Sequence, residues 1–221
     1  MKTIMMVRGF TGLVACWLLV GGPVPRLDAG ELPVYRAVPK RDADFYESLD
    51  GGPPKLLPGC SWYCAGDVRG VKASSELASA RGITYAAKNA HDFDPRTAWV
   101  EGVGGNGEGE YLEYTFLFDR PDYDGRVGIT TVLLSNGYKK SRELWKANSR
   151  VKKMKMYVDG RARAIIESLD RYEIQTVEIG KIMFPPKKKT VIRFEILEVY
   201  PGEKYQDTAI TDLVFDGVGA H

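Results

Sequence analysis

Apolar side chains at every second position constrain this fold more than any other sequence feature. The segment from Tyr111 to Phe118 alternates in this way, and residues 192–196 repeat the pattern with Arg193 and Glu195 between apolar positions. Side chains of a β-strand point to opposite faces in turn, so both segments predict strands with one buried face. Similar runs occur at 127–135, 150–158, 173–179 and 208–215. Only Glu143–Ala147 suggests a helical turn, so we predict an all-β sandwich or jelly roll.

The N-terminus has the pattern of a secretion signal. Lys2 and Arg8 precede the apolar run from Phe10 to Val20, and a small residue, Ala29, follows a helix-breaking segment. The run is shorter than the ~20 residues of a membrane-spanning helix, so we predict a cleaved signal peptide at 1–29 and no transmembrane span in the mature chain. The product would be secreted, periplasmic or displayed at the cell surface. A lipid anchor at Cys16 is the alternative, although the apolar run continues past this cysteine.

Removal of this signal would leave two cysteines, Cys60 and Cys64, in an oxidising compartment. We therefore predict a Cys60–Cys64 disulfide that shapes one turn and presents Trp62 and Tyr63. A redox site is the alternative, but it requires only two residues between the cysteines, and here there are three.

The rest of the chain predicts a linker followed by one domain. Residues 30–58 contain five prolines and no sustained periodicity, so we interpret them as a leader that precedes a domain at 59–219. The formal net charge of +2 is too small to indicate the basic surface of a nucleic-acid-binding domain. In Arg150–Lys155 lysines alternate with apolar residues, which favours a strand with a solvated face over a polyanion site.

The sequence contains no recognisable catalytic motif. His91 is the only histidine apart from the terminal His221, so no two-histidine metal site and no standard nucleophile arrangement is available. Residues 102–107 match a dinucleotide-binding glycine pattern, but the segment that follows predicts a strand instead of a helix. We therefore predict that the protein is not an enzyme and holds no organic cofactor.

Residues 89–99, Asn-Ala-His-Asp-Phe-Asp-Pro-Arg-Thr-Ala-Trp, resemble the Asn-Ala-x-Asp-Gly-x-x-x-Thr-x-Trp signature of discoidin domains. These are also called coagulation factor V/VIII type C domains and belong to the galactose-binding-like superfamily. Segments 99–110, 136–140 with 148–153, and 198–207 resemble the subtype that accompanies bacterial NAD glycohydrolases and is described as glycan-binding. One departure is Phe93, which replaces the glycine of the signature. The resemblance implies a jelly roll of about eight antiparallel strands with binding loops at one end, and it does not imply NAD hydrolysis.

Segments between the predicted strands carry the residue types that a sugar site needs, namely aromatic rings beside polar groups. The candidate ligand-binding residues are Asn136, Tyr138, Lys140, Trp145, Asn148, Arg150, Tyr200 and Asp207. Tyr205 lies in the same segments. In the alternative interpretation, Trp145 and Tyr200 only close the ends of the sandwich, and we expect Trp99 to be core.

A structural calcium ion is a further expectation. Asp92, Asp94 and Thr97 bring several oxygens into one short loop, as calcium requires. In discoidin-like domains an acid near the last strand closes the site, and Asp212 is placed similarly. The alternative is ordinary turn chemistry, because aspartate before proline is common in turns.

We therefore expect an exported, non-catalytic glycan-binding module. A cell-surface protein–protein interaction domain that uses the same loops is the first alternative, and a hydrolase with an unrecognised site is the second.

Overall fold

The computed structural model describes residues 31–40, 46–47, 55–56, 62 and 68–219. The signal peptide predicted at 1–29, with Cys16, and the cysteine pair Cys60 and Cys64 lie outside the described residues. Within this part of the chain, no helix is long and apolar enough to cross a membrane.

The described residues are mostly in strands. These are β1 Val34–Arg36, β2 Val38–Lys40, β3 Tyr46–Glu47, β4 Lys55–Leu56, β5 Val68–Ala73, β6 Trp99–Val100, β7 Tyr111–Leu117, β8 Gly128–Asn136, β9 Ser149–Val158, β10 Arg161–Glu167, β11 Ile174–Met183, β12 Lys189–Tyr200 and β13 Thr208–Val218. A 3-10 helix spans Ala87–His91, and a short α-helix, α1, spans Arg142–Ala147. The main strands, β5 and β7 to β13, are eight elements of six or more residues.

Hydrogen bonds connect eleven of these strands into one open sheet, whose main path is β2-β11-β8-β13-β9-β12-β7-β5, while β3 and β4 form a separate pair. In addition, β10 pairs with β9, β1 with β10, and β6 with β13. Most pairs are antiparallel, but the first two residues of β13, Thr208 and Ala209, run parallel to Ser149 and Arg150 of β9. The rest of β13 pairs with β8, so this junction joins two halves of the sheet.

The two halves face each other as the layers of a sandwich. β7 and β13 are three strand positions apart, which is about 14 Å in a flat sheet. The ring centroid of Phe215 in β13 nevertheless lies 5.0 Å from that of Tyr114 and 5.2 Å from that of Phe116, both in β7. Contacts this short require the sheet to fold over itself, and both halves contribute to one hydrophobic core. The predicted all-β jelly-roll sandwich is confirmed.

The alternating segments take the predicted orientation. Leu112, Tyr114 and Phe116 are fully buried, as are Met154 and Met156 of β9. The lysines of β9 are partly exposed, and Lys152 and Lys153 pair with Glu198 at 3.0 and 3.1 Å. The lysines of the basic run therefore belong to a partly exposed strand surface, where Lys152 and Lys153 are paired across strands.

The proline-rich segment differs from the predicted linker. Val34–Arg36 pairs in parallel with β10, and Val38–Lys40 pairs antiparallel with β11. Ala37 between them is 6% exposed, and its N–H donates to the carbonyl of Glu167 at 2.8 Å. Both strands lie at sheet edges, where a proline such as Pro39 is tolerated. Strands of three residues are too short to show periodicity, so the sequence did not reveal them.

Trp62 is a core residue, which corrects the expectation that its loop presents it to solvent. The side chain is 1% exposed, and its Nε1 donates to the carbonyl of Gly128 at 3.0 Å. Its ring packs against Phe116, Phe184 and Phe215 at centroid distances of 6.2–6.4 Å. Trp62 therefore belongs to the main hydrophobic core. Tyr63 lies outside the described residues.

Candidate ligand-binding site

Five loops meet at one end of the sandwich. Strands β5, β8, β10 and β12 end there, while β7, β9, β11 and β13 begin there, as their antiparallel pairing requires. The loops comprise residues 74–98, 101–110, 137–148, 168–173 and 201–207. Seven of the eight candidate ligand residues lie within or directly beside these loops, and the eighth, Arg150, is the second residue of β9.

The loops enclose a half-open cleft of about 250 Å³. Leu77, Val100 and Leu144 form its apolar wall. Tyr85, Tyr138 and Tyr205 add three aromatic rings, and Asn148 and Asp207 are its polar groups. Of the predicted residues, Tyr138, Asn148 and Asp207 line the cleft. Leu77, Tyr85, Val100 and Leu144 were not identified from the sequence, because they are scattered along the chain and no contiguous motif joins them.

Helix α1 forms one side of the cleft. Ser141 caps it by accepting a hydrogen bond from the N–H of Leu144 at 3.2 Å, which stabilises so short a helix. Asn148 closes the other end, where its Nδ2 donates to the carbonyl of Leu144 at 2.8 Å. The loop before β13 docks on this end, since the N–H of Tyr205 donates to the carbonyl of Ala147 at 2.7 Å.

The three tyrosines differ in exposure. Tyr138 is only 5% exposed, and its ring meets Tyr85 edge to face, with centroids 6.3 Å apart and planes at 84°. Burial raises the pKa of Tyr138, so its hydroxyl is neutral at physiological pH. Tyr205 is 41% exposed and is the most accessible of the three rings. Tyr85 and Tyr138 thus form an inner corner, and Tyr205 forms the rim.

Behind the cleft lies a buried carboxylate, Glu101, which is fully inaccessible to solvent. It accepts hydrogen bonds from the N–H groups of Val103 at 2.8 Å and Thr208 at 3.1 Å. Burial raises its pKa, and the charges of Asp207 and Glu110 raise it further. A Cβ at Gly107, where φ is +72°, would lie 2.5 Å from Cγ of Glu101. The glycine-rich loop thus wraps this carboxylate, and strand β7 follows it.

Four of the predicted ligand residues build the scaffold behind α1. Asn136 is 1% exposed and bridges β8 to β9, where its Nδ2 donates to the carbonyl of Val151 and its Oδ1 accepts from the N–H of Val151. Trp145 donates from Nε1 to the carbonyl of Asn136 at 2.9 Å. Tyr200 donates its hydroxyl to the carbonyl of Ser168 at 3.0 Å.

Arg150 completes this scaffold. It is 6% exposed and forms a two-bond ion pair with Asp170 at 2.9 and 3.0 Å. Its guanidinium also lies 4.7 Å from the ring centroid of Trp145. Gly137, with φ of +81°, allows this packing, because a Cβ there would lie 2.6 Å from Trp145. Lys140 is exposed beside the turn that leads into α1 and does not line the cleft.

The loop predicted to bind calcium is closed by contacts within the protein. Thr97 donates to the carboxylate of Asp92 at 2.8 and 2.9 Å. Arg96 holds both oxygens of Asp94 at 2.6 and 2.7 Å, and these bonds lower the pKa of Asp94. Asp212, fully buried, accepts from the N–H of Phe93 at 3.1 Å.

These oxygens already have protein donors, and Arg96 supplies a positive charge. Across the described ranges, no group of three or more His, Cys, Asp or Glu residues is placed to hold a metal ion. In this arrangement the four residues do not fit a calcium site. Phe93, which stands where the signature has glycine, has a left-handed backbone conformation with φ of +61°, and its side chain packs against the cluster of Leu133, Ile174 and Val214.

A β-sandwich with an aromatic cleft among the loops at one end defines a binding module of the discoidin, or F5/8 type C, class. The chain belongs to the NAD glycohydrolase translocation F5/8 type C domain family, whose model matches residues 62–216. The resemblance drawn from the loop motifs is confirmed. A comparison with curated proteins finds no match.

Solved structures share this fold at low sequence identity. The CBM32-1 and CBM32-2 domains of Clostridium perfringens ZmpB in complex with GalNAc match with a TM-score of 0.52 and 14% identity. The match covers 86% of this chain and 41% of that chain. A structure of the same two domains with the M60 catalytic domain matches with a TM-score of 0.53 and 14% identity, over 87% of this chain and 17% of that chain. The family and the matched CBM32 domains are translocation or binding modules.

Proposed function

We propose that this chain is an exported, non-catalytic glycan-binding module that holds a sugar ring in the cleft at its loop end. The observation that carries the proposal is the lining of the cleft, where three tyrosines lie beside Asn148 and Asp207. A sugar ring has an apolar C–H face and a rim of hydroxyls, so it packs on an aromatic ring while polar groups bind its rim. The CBM32 domains of similar fold, solved with GalNAc, support the same ligand class.

The size of the cleft favours a terminal sugar. Its volume of about 250 Å³ lies just below the roughly 300–1,000 Å³ typical of sites for drug-sized ligands. The exposed rim residue, Tyr205, is the ring on which a sugar can stack without rearrangement of the protein. Tyr138 is a poorer probe, because truncation of a nearly buried aromatic side chain costs about 3 kcal/mol or more of stability.

A glycan array probed with the purified protein tests this function. Tyr205→Ala should reduce binding at least tenfold and leave the melting temperature within a few degrees. Tyr157→Ala is the matched control, because Tyr157 is a partly exposed tyrosine of β9 that does not line the cleft. If Tyr205→Ala binds glycans as well as Tyr157→Ala does, the cleft is not the binding site.

The same preparation distinguishes the other functions. If the protein still attaches to cells after their glycans have been removed enzymatically, its partner is a cell-surface protein and not a glycan. Turnover of glycosides or of NAD would show a hydrolase.

We further propose that residues 1–29 are removed on export and that Cys60 and Cys64 then form a disulfide. The basic and apolar N-terminus and the two remaining cysteines support this proposal. A loop this short contributes roughly 2 kcal/mol by chain-entropy reasoning. Mass spectrometry should find a chain that begins at Gly30 or Glu31 and is two hydrogens lighter than its reduced form. Two alkylated thiols under native conditions would contradict the disulfide, and a lipid on Cys16 would contradict the cleavage.

A further inference from the structure

Asp207 is the unpaired carboxylate of the cleft. Its backbone carbonyl accepts from the N–H of Ser149 at 3.0 Å, but among the described residues its carboxylate has no hydrogen-bond or ion-pair partner. Two other aspartates of this loop end are paired, Asp94 with Arg96 and Asp170 with Arg150. A half-buried carboxylate without a hydrogen-bond partner is energetically unfavourable. Because this one lines a cleft, a hydrogen-bond donor of a ligand can pair with it.

The tyrosines add a second preference for positive charge. Tyr85 and Tyr138 stand almost perpendicular to each other, so they present two walls of a corner. Tyr205 already has an ammonium group near its ring, since Nζ of Lys204 lies 4.9 Å from the ring centroid. Aromatic faces attract ammonium ions, and several such rings form the cages that bind methylated amines.

We infer that the cleft recognises an ammonium group, held between its tyrosines and the carboxylate of Asp207. The inference deepens the proposed function and rests on it, because a glycan supplies such a group as an amino sugar with a free, protonated amine. A choline-type substituent carries the same chemistry. Asp207 is then the residue that determines specificity. Sugars with carboxylate or sulfate groups are disfavoured for the same reason.

Isothermal titration calorimetry with glucose, glucosamine, N-acetylglucosamine and choline tests this inference at a pH where the amine of glucosamine is protonated. Wild-type protein should bind glucosamine about tenfold more tightly than glucose or N-acetylglucosamine, since a hydrogen bond to a charged group is worth about that factor. Asp207→Asn should abolish this preference and change binding of N-acetylglucosamine less than about twofold. Glu203→Gln is the control, because Glu203 is an exposed acid of the same loop that does not line the cleft.

The outcomes separate this inference from the proposed function. Binding of neutral sugars without any preference for the amine would overturn the inference and leave the function intact. Equal weakening of all ligands by Asp207→Asn would also overturn it, because the carboxylate would then serve hydroxyl groups. Choline binding that Asp207→Asn weakens would support ammonium recognition even if none of the three sugars binds, and the glycan array would then decide the glycan function. If neither glucosamine nor choline binds, the inference is overturned, and the glycan array alone decides the proposed function.

Discussion

At the scale of single residues, His91 is a partly buried group whose protonation is coupled to folding. Its Nδ1 lies 3.1 Å from the carbonyl oxygen of Leu213, and its ring packs against Phe93, Tyr114 and Phe215 at centroid distances of 5.3–5.9 Å. Burial lowers its pKa from 6.5 to about 4, although the contact with Leu213 acts in the opposite direction. The folded protein therefore keeps this imidazole neutral where an unfolded chain would protonate it.

This difference predicts a loss of stability in mild acid. Between pH 6.5 and about 4 the unfolded chain binds a proton that the folded protein does not, so stability falls as pH falls, by up to roughly 1.4 kcal/mol per pH unit. Chemical denaturation at pH 7 and pH 5 should show a larger loss in wild type than in His91→Gln. The raised pKa of Glu101 shifts stability in the opposite direction, so only the difference between the two proteins reports on His91. Equal losses would contradict the prediction.

At the scale of elements, the first described segment ties the two layers together at their edges. β1 extends the half of the sheet that contains β10, and β2, one residue later, extends the half that contains β11. The buried Ala37 is the joint between them. This segment therefore connects β10 of one half to β11 of the other.

A charged side chain at position 37 should destabilise the connection between β1 and β2. Ala37→Asp puts a carboxylate at a position that is 6% exposed, which should cost at least about 2 kcal/mol. Val38→Asp is the matched control, because Val38 is 58% exposed and the same change there should be nearly neutral. Free energies of unfolding measured in urea decide between them. Similar values for both variants would mean that the segment does not contribute to the fold.

From the contacts within residues 92–97 we predict that the stability of the protein does not depend on calcium. Because Arg96 binds both carboxylate oxygens of Asp94 and Thr97 donates to the carboxylate of Asp92, the unfolding midpoint should be the same in calcium and in EGTA. An ion that bound only the folded state would instead raise stability by about 2.7 kcal/mol at a hundredfold excess over Kd. A calcium-dependent midpoint that is lost in Asp92→Ala, with metal found by elemental analysis, would restore the site expected from the sequence.

At the scale of the whole molecule, the residues that stabilise the folded-over sheet and the residues that line the cleft lie in different regions. Its aromatic core, in which Trp62 and Phe116 contact each other and both contact Phe184 and Phe215, occupies the space between the layers. The cleft lies in loops at one end and has its own small cluster of apolar residues around Tyr138. Substitutions at its exposed rim can therefore change ligand preference without loss of the fold.

The sequence by itself determined the fold class, the buried faces of the main strands and the family. These follow from local patterns, because alternation sets which face of a strand is buried and the loop motifs are contiguous in the chain. Only the tertiary structure decided which polar residues are free for a ligand. Asn136 and Arg150 have suitable chemistry, yet backbone groups and Asp170 engage them, whereas Asp207 remains unpaired. Whether a side chain has a partner depends on residues distant in sequence, and the sequence alone does not encode that pairing locally.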